Sequence, residues 1–535
     1  MTDAARTAAP VLASLGAGQF VMAVDSTAMN VSIVSVAQDV GTDITGIQTA
    51  ITLYTLVMAS LMVTGGKVGQ MIGHKRAFLI GAAIYASGSL TTALAPNLTV
   101  LLIGWSFLEG VGAALILPAV VALVASNVPV ERRAAAYGLV AAAAAVAVAV
   151  GPLLGGLCTT YLSWRWVFAG EVVLVAVIIV ASRNMRSAPP DPGVRIDVIG
   201  ALLSALGLGL VVFGVLRSGV WGFVSPKPGA PDVLGLSMAF VLMAVGALVL
   251  RLFVRWEQHV VERGREPLVD TSLFGIAQLR TGLSTAGFQF FLQGGLFYLI
   301  ALYLNIAVGL SAIGTGARLM PLSIALLASA VLVPRLFPQV SPQLVVRLGF
   351  AALITGTLLL IVLLHFGDGA GVVSGPLVLA GLGTGALASQ VSNVIVASVP
   401  EERNGEVGGL QNTATNLGSS ISTALAGAVL VAALTTGLVQ GLASNPAVPP
   451  ELLASAEVEL SAGVPFVSDA QLDDALAASG LDPEVADAIR EENADARVQA
   501  LRTALGVIAL GGIVALFASR RLPTVQPGRA AVPAA

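Results

Sequence analysis

Charge is the scarcest property of this sequence. Only 11% of its 535 residues are charged, against about 25% in soluble globular domains. A larger core cannot absorb the deficit, because soluble chains of this length divide into domains that each keep a polar surface. Cysteine is almost absent. The single Cys158 excludes a disulfide framework and any cysteine-built metal site. Three scattered histidines, His74, His259 and His365, lack the clustering of a zinc enzyme. No Gly-x4-Gly-Lys-Ser/Thr phosphate loop occurs, which disfavours an ATP-driven pump, and no Ser/His/Asp grouping points to an enzyme. No catalytic residue, metal or cofactor is therefore expected. The net charge of −3 singles out no partner, and no nucleic acid is expected among them. Arg6 runs straight into a long apolar stretch with no small-residue cleavage site, so a removable signal peptide is not expected.

What is abundant is apolar sequence and glycine. Hydrophobic residues make up 56% of the chain and the mean hydropathy is +0.90. A helix needs about 20 apolar residues to cross the hydrocarbon core. Such runs fall at 11–36, 47–69, 77–95, 98–124, 134–157, 167–183, 197–217, 233–254, 281–307, 311–334, 345–365, 372–397, 407–437 and 501–519. The expectation is an all-α membrane protein with fourteen spans. The 59 glycines suit it, since small residues let helices approach closely in lipid. Twenty of the 27 Lys and Arg residues fall on one side of this pattern if both termini are cytoplasmic, as the positive-inside rule requires. Residues 438–500 differ in kind. They are acidic, from Glu451, Glu457 and Glu459 to Asp495, and are expected outside, as a small cap or as a solvated loop. Within them Asp469–Ser479 is a candidate short helix. Asp482 followed by Pro483 has the form of an N-cap and first helical residue, from which a helix could run into the last span.

Three motifs carry a resemblance. After the second run the sequence reads Gly65-Gly66-Lys67-Val68-Gly69-Gln70-Met71-Ile72-Gly73-His74-Lys75-Arg76. In the fifth run Gly138, Gly151-Pro152 and Gly155-Gly156 are spaced as in an antiporter signature, with Ala147 in place of one glycine. The first run holds Asp25-Ser26-Thr27-Ala28-Met29-Asn30, and Trp164-Arg165-Trp166 precedes the sixth. Together these resemble the major facilitator superfamily, in its fourteen-helix drug:proton antiporter branch of the EmrB/QacA type. The resemblance implies a major facilitator fold of two six-helix bundles plus two extra transmembrane helices. Residues 1–190 would be the first bundle, 191–265 the inserted pair and its cytoplasmic connection, and 266–535 the second bundle with the acidic segment. The loop motif would comprise Gly66, Gln70, Gly73, Lys75 and Arg76. Gln70 stands where the family has an acid, and Ser106 stands where an arginine is expected four residues before Gly110.

Ionisable groups inside spans are costly and are functional candidates by default. Asp25, Glu109 and Glu171 are the candidates for proton coupling, since burial favours the protonated carboxyl. Each also has a plain reading. Asp25 could brace a neighbouring helix, and Glu109 could be a neutral acid bonded to a helix backbone. Glu171 is expected near the outer interface, paired with Arg165. Arg318 either snorkels or complements Asp25 or Glu171. Asn30, Tyr54, Gln289, Gln293, Phe297, Asn393, Gln411 and Asn412 are candidates for a substrate cavity, because aromatic and amide groups suit bulky amphipathic molecules, or else they are interhelical hydrogen bonders.

The expected function is secondary active export of hydrophobic or amphipathic small molecules, multidrug-type, by proton antiport with alternating access. The alternative is a lipid or lipid-like metabolite transporter with weak or no proton coupling. The expected partners are the amphipathic substrate, protons and membrane lipid, with the chain a monomer in a bacterial inner membrane.

Overall fold

A computed structural model describes residues 3–524 apart from 188, 192–193, 365–368, 401–402, 450–468 and 480. His365, Glu451, Glu457, Glu459 and the expected tail basic residue Arg529 lie outside the described residues.

The described chain is almost wholly helical, as lipid demands of a backbone with no water to bond. The helices are α1 (Asp3–Asp39), α2 (Ile44–Ile72), α3 (His74–Ala93), α4 (Leu98–Asn127), α5 (Val130–Tyr161), α6 (Arg165–Ala181), α7 (Val198–Trp221), α8 (Met238–Glu262), α9 (Ala277–Ala307), α10 (Ala312–Leu336), α11 (Pro342–Leu363), α12 (Ser374–Val396), α13 (Asn404–Ser444), α14 (Asp469–Ser479) and α15 (Pro483–Ala518). Each of the fourteen expected runs falls largely on one of these in its described part, and α14 is the short helix expected beside them. Twelve of the described helices are long and apolar enough to cross a membrane. Outside this group fall α3, which opens on His74-Lys75-Arg76, α6, which has 17 residues, and the short α14.

Side-chain caps set several starts. Asp43, Asn97, Asp197, Ser311 and Ser341 each accept a backbone N–H from the first turn of the helix that follows, removing one of its orphan donors. Asp482 does the same for α15, with Pro483 at the first helical position, and the helix runs unbroken through the last apolar run. One small feature was not expected. Asp232–Val233 and Leu236–Ser237 pair as a two-stranded hairpin before α8. Leu234 and Gly235 both take positive φ (56° and 77°), the turn that matches strand twist.

Packing sorts the helices into groups. α1–α6 pack among themselves, as do α9–α13 with α15. The groups meet along two seams, α2 against α13 and α5 against α10, while α7 lies on α2 and α13 and carries α8 on its other side. The hydrogen bonds across the seams lie toward the end bearing the α1–α2, α5–α6 and α9–α10 connections. Gln48 donates to the carbonyls of Thr423 (3.0 Å) and Ala424 (3.2 Å), and Ser420 to that of Thr52 (2.9 Å). The amide of Ile313 donates to Thr160 Oγ1 (3.1 Å), and Ser323 to the Val148 carbonyl (3.3 Å). Glycine makes the α5 seam possible. A Cβ on Gly155 would lie 2.6 Å from Ala28 Cα, and one on Gly156 would lie 2.6 Å from the Ala312 carbonyl oxygen. Those two positions wedge α5 between α1 and α10.

Near the same end the described part of the acidic segment is helical and docked. Arg497 of α15 is buried and pairs with Asp469 at the start of α14. Arg490 pairs with Asp473 and Asp487. The cap form of this segment, rather than a loose loop, describes these residues.

Candidate functional site

Three carboxyl groups from three helices converge inside α1–α6. Asp25 (α1), Glu109 (α4) and Glu171 (α6) each contribute a carboxylate oxygen, and these oxygens all lie within 4.8 Å of one another. Asp25 and Glu109 are wholly buried and Glu171 is 5% exposed. At such spacing two like charges repel by about 3–4 kcal/mol even at an effective dielectric of 20. Three uncompensated negative charges cannot be held here together.

Neutral donors surround the acids. The Trp105 indole N–H lies 2.8 Å from Asp25 Oδ1 and 3.0 Å from Oδ2. Ser89 Oγ donates to Glu171 Oε2 (3.2 Å), and Thr92 Oγ1 to Glu109 Oε1 (3.4 Å). The Trp105 ring stacks on Tyr54 at 5.1 Å and 10°. The hydroxyls of Tyr54 and Tyr85 are turned toward Asp25, and that of Tyr85 also toward Glu109, yet neither has a hydrogen-bond partner, nor do Glu109 Oε2 and Glu171 Oε1.

Local sequence explains the convergence. Leu102–Glu109 winds as a π-helix within α4, a widened turn often found at functional sites, and it carries both Trp105 and Glu109. On α3, Tyr85, Ser89 and Thr92 are spaced four and three apart and so share one face. Gly88 lets that face close on α4, since a Cβ there would lie 2.6 Å from Glu109 Cγ and 2.7 Å from the Gly104 carbonyl oxygen.

Several expectations need correction. Glu171 does not pair with Arg165. Arg165 instead pairs with Asp39 and donates to the Ala95 carbonyl (2.5 Å), because it sits at the first residue of α6 while Glu171 lies more than a turn deeper. Of the two alternatives for Arg318, complementing Asp25 or Glu171 does not hold, since its side chain is exposed and theirs are buried. Glu109 meets a threonine hydroxyl rather than a helix backbone. The acids themselves are enclosed among α1, α2, α3, α4 and α6. Ser106, at the expected arginine position, is fully buried and donates to the Ala50 carbonyl (2.9 Å), which ties the π-helical turn to α2.

Of the cavity candidates only Tyr54 joins the acids. Asn30 is half-buried and bonds the Ser26 carbonyl of its own helix (2.8 Å). Gln289 and Phe297 are buried on α9 and Gln293 is half-buried there. Asn393 is exposed on α12 and bonds back to the Ser389 carbonyl (3.4 Å). Gln411 of α13 reaches Ser392 Oγ of α12 (2.7 Å), and Asn412 beside it is half-buried. Asn30 lies on α1 with Asp25, whereas the other amides and Phe297 belong to the other group of helices, apart from the acids.

The glycine motifs divide. Gly151 faces Thr27, Gly155 faces Ala28, and the Pro152 carbonyl and Gly156 face α10, whereas Gly138 is exposed with nothing against it. In the loop motif Gly73 takes φ +93° between α2 and α3, and Gly66 lies in ordinary contact with Pro118. The Gln70 side chain is exposed, and its carbonyl accepts the Asp191 amide (3.0 Å). Lys75 Nζ donates to the Arg183 carbonyl (2.5 Å), its amide to Ser187 Oγ (3.3 Å), and Arg76 is exposed. The segment after α6 thus straps the loop through hydrogen bonds where the usual acid is missing. Lys67, Gln70, His74, Asp191 and Glu266 line a cavity of about 410 Å³ at this end.

Trp105, Tyr85, Ser89 and Thr92 were not singled out from the sequence. The available signals were the four-residue spacing of Trp105 and Glu109 and the polar stripe on α3 within an otherwise apolar helix.

The sequence profile of the Major Facilitator Superfamily matches residues 15–423. The lincomycin resistance protein of Streptomyces lincolnensis is 30% identical, over 75% of this chain and 80% of that one. The tetracenomycin C resistance and export protein of Streptomyces glaucescens is 28% identical, over 77% and 74%. The multidrug resistance protein Stp of Mycobacterium tuberculosis is 26% identical, over 78% and 74%. Among solved structures, a bacterial homologue of the human lysosomal transporter Spinster, inward-facing and unoccupied, superposes with a TM-score of 0.60 at 14% identity, covering 96% of this chain and 98% of that one. A peptide transporter POT variant bound to alafosfalin gives 0.59 at 14% identity, over 98% and 100%.

Proposed function

The chain belongs to the major facilitator superfamily and is a multi-pass membrane transporter rather than an enzyme, and from that premise we propose that it exports hydrophobic or amphipathic small molecules by proton antiport with alternating access. The resistance and export proteins it resembles support the direction and the substrate class. The observation that carries the coupling is the meeting of Asp25, Glu109 and Glu171 within 4.8 Å with only neutral donors around them.

The proposed mechanism follows from what the acids touch. A proton arriving at Asp25 weakens the hold of the carboxylate on the Trp105 N–H. Trp105 stacks on Tyr54 of α2, and Ser106 beside it holds the Ala50 carbonyl. The same stretch of α2 carries Gln48 and Thr52, which close the seam with α13. On α1, Thr27 and Ala28 follow Asp25 directly and bear on Gly151 and Gly155 of the α5 seam. The protonation state of the cluster therefore biases both seams, and a ligand or proton shifts such an equilibrium only through its differential affinity for the two states. Substrate would occupy the space between the two helix groups, in contact with Gln289, Gln293, Phe297, Asn393, Gln411 and Asn412.

We place the α2–α3 end in the cytoplasm, both termini included, in a bacterial inner membrane, with the sealed α1–α2 end outside. We also count α3 and α6 as spans, which gives fourteen, and take 1–190, 191–265 and 266–535 as the first bundle, inserted pair and second bundle. The chain works as a monomer, with the proton gradient as its energy source and no cofactor.

The test is export of a lipophilic dye from proteoliposomes under an imposed pH gradient. Asp25→Asn is expected to abolish pH-driven export while keeping the wild-type melting temperature in detergent. Full activity in that variant overturns the assignment. The missing loop acid and the serine at 106 favour a second reading, an uncoupled transporter of lipid-like molecules. Wild-type transport indifferent to the pH gradient would support it instead.

A further inference from the structure

We infer that the carboxylates of Asp25, Glu109 and Glu171, completed by the Tyr54 and Tyr85 hydroxyls, bind a small hard monovalent cation of sodium size in exchange for a proton. The inference deepens the proposed function and rests on that reading for the part the ion plays in the cycle.

The geometry fits one ion. Hard cations of this size take oxygen ligands at about 2.3–2.6 Å, so ligands on opposite sides of one ion stand roughly 4.6–5.2 Å apart. Oxygens from all three acids lie within 4.8 Å of one another, and a single ion can touch all of them with little movement. A second observation points to a ligand independently of the acids. The Tyr85 hydroxyl is wholly buried, turned toward Asp25 and Glu109, and has no partner; the Tyr54 hydroxyl, also buried, is in the same position toward Asp25. Glu109 Oε2 and Glu171 Oε1 are likewise unpartnered. Buried polar atoms in folded proteins are nearly always satisfied, and a cation held among the acids would give these four oxygens a partner.

The groups facing this point are Asp25 from α1, Tyr54 from α2, Tyr85, Ser89 and Thr92 from α3, Trp105 and Glu109 from α4, and Glu171 from α6. None is Lys, Arg or His. The positive charge that three carboxyl groups require must come from protons or from a bound cation. All the available ligands are oxygens, which select hard cations over transition metals. Replacing one proton by one sodium ion leaves the net charge of the cluster unchanged, whereas a divalent ion does not. That equivalence is what lets the ion exchange for a proton without disturbing the rest of the cycle.

The experiment is equilibrium binding of radioactive sodium to the purified full-length protein, with choline keeping ionic strength constant. At about pH 8.5, where free carboxyl groups are ionised, binding is expected to saturate. It should weaken as the pH falls, approaching roughly tenfold per pH unit where one proton competes fully. Glu171→Gln and Glu109→Gln are each expected to lower affinity by tenfold or more, and Tyr85→Phe, which keeps the ring and the fold, by a smaller factor. Absence of saturable sodium binding by protein with a normal melting temperature overturns the inference. So does displacement of sodium by calcium at lower concentrations than sodium itself requires. Dye export in sodium-free buffer, measured in parallel, separates the two readings. Persistent pH-driven export with no sodium binding sinks only the cation site. Sodium binding with export indifferent to pH sinks only the proton-antiport reading.

Discussion

In α1–α6 the polar side chains converge, with Asp25, Glu109 and Glu171 meeting in a dry interior among Trp105, Tyr54 and Tyr85. In α9–α13 they spread, with Gln289, Gln293, Asn393, Gln411 and Asn412 strung along three helices, some buried and some exposed. One group holds its acids where water is excluded. The other spreads neutral amides along its helices, with Gln289 and Phe297 buried and Asn393 exposed. On the proposed function, the contrast separates ion handling from substrate handling in space, and what joins the two groups is the pair of seams, α2–α13 and α5–α10.

The largest expected effect therefore comes from the seams. Gly155→Val forces atoms into space already occupied by Ala28, and Gly156→Val does the same against Ala312. Either is expected to cut export at least tenfold, with both dye binding and sodium binding retained in protein that still folds. Transport near wild type in both variants would show that α5 need not approach α1 and α10 so closely. Next comes Trp105→Phe, which keeps a ring against Tyr54 but removes the donor to Asp25. Hydrogen bonds to charged groups contribute about 1.5–3 kcal/mol, so a tenfold or larger change in pH-driven export is expected, together with a displaced pH profile. Gln411→Ala loses only its bond to Ser392 (2.7 Å), a neutral contact of about 1 kcal/mol. It should alter the KM for particular substrates a few-fold and leave the pH profile in place. A displaced pH profile in Gln411→Ala, or a substrate-specific effect in Trp105→Phe, would break the separation between the two groups.

How much of this was legible in the sequence depended on the range of the interactions. Helix positions were readable because a span is set by its own apolar length, and Asp482-Pro483 marked the start of α15 because a cap acts within one turn. The acids were visible as charges in apolar runs, but their meeting was not, since Glu109 and Glu171 are 62 residues apart in sequence and their encounter depends on how α4 and α6 pack on α3. The pairing of Glu171 with Arg165 was the natural short-range expectation; Asp39, on a different helix, took the arginine instead. Trp105 was invisible for the same reason. An indole in a span is ordinary, and only the π-helical turn aims this one at α1.

The smallest effect belongs to the connection between α8 and α9. Arg403, beside the start of α13, pairs with Asp270 (2.6 Å) and Glu406 (2.9 Å). Burial works against the Asp270 charge, but hydrogen bonds from Ser272 and Arg403 outweigh it and hold the carboxyl below the ordinary carboxylate value. A depressed folded value means stability that is present at neutral pH and lost as pH falls through the folded value, below about 3.9. The pair is roughly a quarter to a third exposed (35% and 26%), so solvent screening limits the effect to about 1 kcal/mol or less. Arg403→Ala should lower the melting temperature slightly at neutral pH, and the difference from wild type should vanish on acidification below that range. A difference that persists at low pH would mean that Arg403 acts through packing rather than through charge, and the connection would then belong with the neutral, spread-out polarity of α9–α13 rather than with the ionic logic of α1–α6.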